Sequence, residues 1–389
     1  AQTVTGTALT GRLTANGLPT ITAPTFKVPR TFQDNNLLNS STNFSIPDPN
    51  LRTPYVQQWN FGIQHEWHNV VFEARYVGNH GVKLLRGIDQ NQVLVTPEFL
   101  ADFRRAQNNG NLSRTATGVF NPAYNAAIAG SQPLTVLPLL PSGGQLTNTT
   151  IRTLIDQGQV GELASNYQTT RTNGTTNFFP NPFGLATNVL SNYSHSQYNA
   201  LQMDMRGRLR DLNFQVNYTW SKVLSDAASG SENAFQNRNE AFLDFANPSI
   251  ERARAPFDLT HVIKGNFVYQ LPIGKGHLLN FKPLERVLTG WQIGSIFTKE
   301  SGAPFSVFSG RGTLNRSGQS GTNTANSSLT NAQLFDGFKV RIASNGPYFV
   351  PASWIGTDGR AVAADGSAAF NGQVFSQPGA GTLGQLQRR

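Results

Sequence analysis

No cysteine occurs among the 389 residues. That excludes a disulfide framework, a cysteine-ligated metal and a cysteine nucleophile, and it is compatible with an oxidising or extracytoplasmic compartment. Charge is scarce too: Asp, Glu, Lys and Arg make up 14% of the chain, against about 25% in typical soluble domains. No apolar run approaches the roughly 18 residues of a transmembrane helix. The opening AQTVTGTALTG has no basic n-region, no apolar h-region and no initiator Met. It does not read as a signal peptide, and the expectation is that the chain starts inside a longer precursor.

Catalytic signatures are missing as well. There is no P-loop, no G-x-S-x-G and no HExxH. GRGTLNRSGQSG at 310–321 is glycine-rich but lacks the Lys-Ser/Thr of a phosphate loop. His65 and His68 would face opposite sides of an extended chain, which argues against a metal site. Asp358-Gly359 and Asp365-Gly366 are turn signals without the carboxylate spacing of a Ca²⁺ loop. Glu73 and Asp204 would make a conceivable glycosidase pair, but each has an arginine two residues along, Arg75 and Arg206, and reads more simply as part of a polar surface. The expectation is a protein that is not an enzyme and takes no cofactor.

Polarity comes instead from Asn, Gln, Ser and Thr, with 37 Gly and 21 Pro. That balance suits strands, turns and long loops. The formal net charge of +9 is spread over scattered Lys and Arg, so nucleic acid is not an expected partner.

Period-two alternation is the strongest positive signal. PYVQQWNFGIQHEW sets Trp59, Phe61 and Ile63 against Gln58, Asn60, Gln64 and Glu66. After a break at 67–69, VVFEARY sets Phe72 and Tyr76 against Glu73 and Arg75, which predicts a hairpin. Beyond Gly78 the alternation fails, and a bulge is expected there. SQYNALQMDMRGRL opposes Leu201 and Met203 to Gln202, Asp204, Arg206 and Arg208. A short turn at Arg210-Asp211 leads into NFQVNYTW, with Phe214, Val216, Tyr218 and Trp220 against Asn213, Gln215 and Asn217. Further on, Ile263, Phe267 and Tyr269 oppose Lys264, and Trp291, Ile293 and Phe297 oppose Gln292 and Thr298. APFSVF is either one more short strand or the upper end of this last hairpin.

Between these runs the connections alternate short and long. Residues 1–53 read as loop leading in, 54–309 hold the strands, about 89–195 and 223–257 are long segments without sustained periodicity, and 310–389 return to loop chemistry. Short turns at one end and long loops at the other are the layout of an outer-membrane barrel. Trp67, Tyr269 and Trp291 fall near the short-turn ends, and Trp59, Tyr218 and Trp220 near the long-loop ends, as two interfacial girdles would require. Runs of 10 to 14 residues exceed ordinary soluble strands. A soluble core would also segregate charge and attract aromatics, so a secreted or surface all-β binding module stays open as the alternative.

The same stretches resemble the barrel of Oar-like TonB-dependent transporters. NLRTPYVQQWNFGIQHEW, VVFEARYVGNHGVKLLRGIDQNQ, SQYNALQMDMRGRL, FQVNYTWSKVLSDA, APFDLTHVIKGNFVYQLP and TGWQIGSIFTKESGAPFSV occur in that family's order over about residues 50–310. The resemblance implies an all-β, antiparallel transmembrane β-barrel with long extracellular loops, located in the cell outer membrane. Here it would be partial, its central strands, because plug, TonB-contacting segment and C-terminal strands are not recognisable in these residues. It implies outer-membrane lipid, the TonB complex reached through a plug domain, and an unidentified transported substrate as partners. The expected lipid-facing residues are Trp59, Phe61, Ile63, Phe72, Tyr76, Leu201, Met203, Phe214, Val216, Tyr218, Trp220, Ile263, Phe267, Tyr269, Trp291, Ile293 and Phe297. The expected lumen-facing residues are Gln58, Asn60, Gln64, Glu73, Arg75, Gln202, Asp204, Arg206, Asn213, Gln215, Asn217 and Lys264.

Overall fold

The computed structural model describes residues 28–226, 242–273, 287, 290–315, 323–344, 346–362 and 369–386. The loop expectations for 1–27, for 227–241 and for most of the 271–290 connection lie outside the described residues.

One antiparallel sheet organises the chain. Its long strands run in sequence order: β2 (Tyr55–Trp67), β3 (Val70–Asp89), β4 (Ala186–Leu209), β5 (Leu212–Ser225), β7 (His261–Gln270) and β8 (Gln292–Glu300). The helix α1 (Phe32–Leu38) precedes the short β1 (Asn43–Pro47), which joins β4 in parallel, and β6 (Ala253–Arg254) pairs with the end of β5. Among the described residues β2 and β8 are not paired with each other, so the sheet is open.

The short turns follow from local stereochemistry. His68 and Asn69 both have positive φ, 47° and 64°, so the β2–β3 link is a two-residue turn of the type that matches strand twist, tighter than the three-residue break expected. The β4–β5 link is Arg210-Asp211, with Arg210 at φ 48°. Beyond Gly78, β3 continues to Asp89 but its register with β4 shifts between Gly81 and Leu84 and again between Leu84 and Arg86. Lys83 at φ 57° marks the irregularity, which is the bulge expected from the lost alternation.

The long-loop end differs from the sequence reading. Residues 89–195 are not irregular throughout. They hold α2 (Pro97–Thr117), α3 (Thr149–Asp156) and α4 (Val160–Thr169), and β4 begins at Ala186 rather than near 196. The reason lies in what α2 buries: Phe99, Asp102, Phe103, Ala106, Asn109, Gly110 and Ser113. The spacing is helical but three of these seven residues are polar, so the hydrophobic period vanishes after Ala106. Start and stop signals were present: Thr96 caps, Pro97 follows, and Gly118 ends the helix at φ 78°. Phe99, Phe103, Leu163 and Tyr167 centre an apolar core shared by the three helices. Tyr167 donates to the Gly144 carbonyl at 2.6 Å, and burial pushes its hydroxyl above the usual phenol range.

Residues 310–389 were expected to be loop, and they contain more. The helix Asn331–Gly337 and the hairpin Arg341–Ala343/Gly346–Tyr348 surround a small core of Leu334, Trp354 and Phe375. APFSVF forms no strand and contributes a single bridge, Phe308 to Thr324. This segment also reaches back to the helices. The Gly161 and Glu162 amides donate to the Gly312 carbonyl at 3.0 and 3.1 Å, and Arg104 donates to the Ala380 carbonyl.

Two glycines on the sheet are required by neighbouring rings. A Cβ on Gly78 would lie 2.1 Å from the Trp59 indole nitrogen, and one on Gly265 would lie 2.5 Å from the Phe297 ring. The rings lie directly on bare backbone, the arrangement by which an aromatic covers a strand glycine. Gly78→Val is therefore expected to displace Trp59 and cost about 1–3 kcal/mol. In a double-mutant cycle with Trp59→Ala, read as unfolding midpoints in lipid vesicles, the two losses should fall clearly short of additive. Additive losses would mean that the ring is not seated there.

Candidate functional site

Antiparallel partners share a face, so the pairing register sorts the strand residues without further assumption. Gln64, Glu73, Asp204, Asn217, Lys264 and Thr298 form one row across six strands. Every second row belongs with it. All twelve residues expected on the polar side, from Gln58 to Lys264, fall on this face. Within it Glu73 pairs with Arg75, and Asp204 accepts from Arg206 at 3.1 Å and from Gln215 at 2.9 Å. These carboxylates are already neutralised by local partners and lie in neighbouring positions of the ladder, which is the arrangement of a hydrated polar wall.

The intervening rows carry the apolar set. His65, Phe72, Met205, Val216, Gly265 and Phe297 form one. Ile63, Ala74, Met203, Tyr218, Ile263 and Lys299 form the next. Sixteen of the seventeen residues expected on the apolar side fall on this face, and the seventeenth, Trp291, lies one residue before β8. The register also returns an exception that the alternation did not reveal. Lys299 shares the face of Phe297, eight residues up the strand from Trp291. At that outer end its stem can lie along apolar surface while the ammonium reaches water.

The apolar rows form a band of limited height. On β2 it runs from Trp67 to Trp59. On β4 it runs from Leu209 to Leu201 and then meets Asn199. On β5 it runs from Leu212 to Trp220 and then meets Lys222. On β8 it runs from Trp291 to Phe297 and then meets Lys299. Eight residue steps at about 3.3 Å make about 26 Å along a strand. The band also climbs across the sheet. The row through Trp67 reaches Ser295, four residues above Trp291. A climb of about 13 Å over five strand spacings of about 4.8 Å inclines the strands by roughly 30° to the band, close to the tilt of membrane barrels.

The deciding observation is what covers this face. A soluble sandwich would bury it under a second layer. Here Phe61 is 72% exposed, Ile63 64%, Trp220 55% and Ile293 50%. The apolar core of the described residues lies instead among the helices at the long-loop end. A continuous apolar face of this size, left open by the described residues, marks an interaction surface.

The chain matches the outer membrane beta barrel domain family over residues 1–389. It belongs to that family. Membership places the protein in the outer membrane, in contact with lipid. No curated protein matches the chain. Among solved structures, the outer membrane transporter YddB from Escherichia coli aligns with a TM-score of 0.27 and 9% identity, over 67% of this chain and 27% of that one. The chain thus spans little more than a quarter of that transporter's length. No helix of the described residues is long and apolar enough to cross a membrane.

The sequence reading named no residue from the turn before β7, although that turn is the most constrained feature at the long-loop end of the polar wall. Asp258 is fully buried; it accepts from the Val223 amide at 2.8 Å and pairs with Arg254 at 2.5 Å. The Asp258 amide closes the turn on the Ala255 carbonyl, and Arg254 also donates to Thr260. The signal available was Ala-Pro-Phe-Asp, a proline turn followed by a carboxylate that can cap it.

Proposed function

We propose that these residues form a wall section of an outer-membrane transporter barrel of the TonB-dependent kind, which binds a substrate and passes it across the membrane without bond chemistry. The apolar face, with its aromatic edges, meets lipid, and the polar face, from Gln58 to Lys264, lines the lumen. The two-residue turns point to the periplasm and the helical segment 89–185 projects outside. Energy comes from the TonB complex through a plug domain outside these residues. One observation supports this reading above the others: a tilted band, about 26 Å along β2, β4 and β5, left exposed by the described residues on one side and backed by a polar wall on the other.

The test uses the full-length gene product in its own outer membrane. It should migrate faster on gels before boiling than after, as a closed barrel does. A photo-crosslinker at the periplasmic side should capture TonB, and capture should rise when substrate is supplied. A barrel that shifts on heating yet never captures TonB would overturn the energy coupling and leave a passive pore. A protein that shows no shift and needs no detergent would overturn the barrel.

A further inference from the structure

On the polar face, near the long-loop end, lies a cavity of about 540 Å³, within the size range of small-ligand sites. It is lined by Asn79, Tyr198, Gln202, Asn217 and Thr219 on the strands and by Phe257 from the turn before β7. Three features set this place apart.

The first is the state of the amides. In the helical segment and its surroundings, amide side chains are committed. Asn91 donates to two carbonyls, Gln92 bridges Phe242 and Phe245, and Asn109 holds Gln132 and Ser131. In the cavity, Asn79, Gln202, Asn217 and Thr219 make no side-chain hydrogen bond to any described residue. Asn79, Gln202 and Thr219 are half-buried nonetheless. Each amide presents both a donor and an acceptor.

The second is Phe257. It is 67% exposed although it sits in a turn locked by the buried Asp258. Holding an aromatic ring out on a rigid support carries a cost in exposed apolar surface, and a ligand that stacks on it recovers that cost.

The third is charge. Among the described residues Lys264 is the one ionisable cation lining the cavity, Tyr198 contributes a phenol, and no carboxylate lines it. An anion would meet one exposed ammonium and no guanidinium fork, and a cation would meet no counter-charge.

Hydroxyl-matched amides, an exposed ring on a fixed turn and the absence of paired charge point to one ligand chemistry. Resting on the transporter reading above, we infer that this cavity is a binding subsite for a neutral polyhydroxylated ligand, an oligosaccharide. Phe257 stacks on the C–H face of one sugar ring, while Asn79, Gln202 and Asn217 exchange hydrogen bonds with its hydroxyls. Thr219 widens the same polar lining, and Tyr198 closes one side.

The full-length protein, purified in detergent, is titrated with a panel of neutral oligosaccharides (maltoheptaose, cellohexaose, xylohexaose, mannopentaose) and, in parallel, with polygalacturonate and chitosan oligomers as anionic and cationic probes. At least one neutral member should bind, and neither charged probe should match it. Phe257→Ala should weaken that binding about tenfold or more, the loss of one stacking contact of about 1.4 kcal/mol, whereas Phe257→Trp should keep it within about threefold. Asn217→Ala should also weaken it, with the gel mobility shift of each variant confirming a folded barrel. Binding of none of the neutral oligosaccharides, stronger binding of a charged probe, or an affinity unmoved by Phe257→Ala would each overturn the inference. Because binding is read in detergent without TonB, failure here is distinct from failure of energy coupling, which leaves binding intact.

Discussion

Val216→Arg should cost about 2–4 kcal/mol of barrel stability, and Thr219→Arg, three residues along the same strand, should cost almost nothing. Val216 sits midway along the apolar band of β5, opposite Met205 and Gly265. In hydrocarbon an arginine there has no counter-charge and must reach four residues in either direction to find water. Thr219 lies on the other face, opposite Gln202 and Val262. A guanidinium there joins a hydrated wall that already carries Arg75 and Arg206. The check is a pair of denaturant titrations of the full-length protein folded into lipid vesicles. A large loss at Val216 with none at Thr219 is the outcome the membrane assignment requires. Equal losses would mean that both faces are packed against protein, and a larger loss at Thr219 would reverse the assignment of the faces.

The second large effect lies outside the band. Asp102 is fully buried in α2, and its carboxylate collects the amides of Thr135 at 2.7 Å, Val136 at 2.9 Å and Leu137 at 2.8 Å, together with Arg105. It is the peg around which the 134–140 stretch wraps onto the helix. Asp102→Ala removes the acceptor of three amides at once, the buried Leu137 amide among them, and the partner of Arg105, and should cost about 3–5 kcal/mol locally. Asp102→Asn keeps one carbonyl oxygen and should lose less. In the orientation proposed, the segment faces the medium, so trypsin added to intact cells should cut the alanine variant at Arg104 or Arg105 while the wild type resists. Gel mobility before boiling should stay that of a folded barrel, because the strands do not depend on this contact. Loss of the mobility shift as well would show that helices and barrel fold as one unit.

How much of this was legible from residues alone depended on whether local chemistry and final environment agreed. Where lipid on one side and water on the other imposed period two, the strands were plain, and even the faces of Gln58, Asp204, Val216 and Ile293 could be read from spacing. The turns at His68-Asn69 and Arg210-Asp211 were legible because both runs stop and restart within a few residues. The helices were not, because α2 builds its buried stripe partly from Asp102, Asn109 and Ser113, whose place inside is secured by partners far along the chain, such as Thr135 and Gln132. A polar residue that is satisfied at a distance looks exposed in a sequence. Lys299 was missed for the opposite reason: nothing in TKE tells which strand end rises out of the band. Phe257 was missed because an exposed aromatic on a turn leaves no periodic trace.

The joint between the helices and the far end of the chain has a consequence for the order of assembly. Ala380 belongs to the same apolar core as Phe99, Phe103 and Leu163, and Gly312 and Ala380 supply carbonyls to the helical segment. The hairpins β2–β3 and β4–β5 can form from adjacent residues, whereas this core waits on partners roughly 150 to 280 positions later, a separation that slows closure. The outer cap is therefore the last part to set. Until residue 380 has emerged, Phe99, Phe103, Leu163 and Tyr167 lack their final cover and are the natural footholds for a holding chaperone.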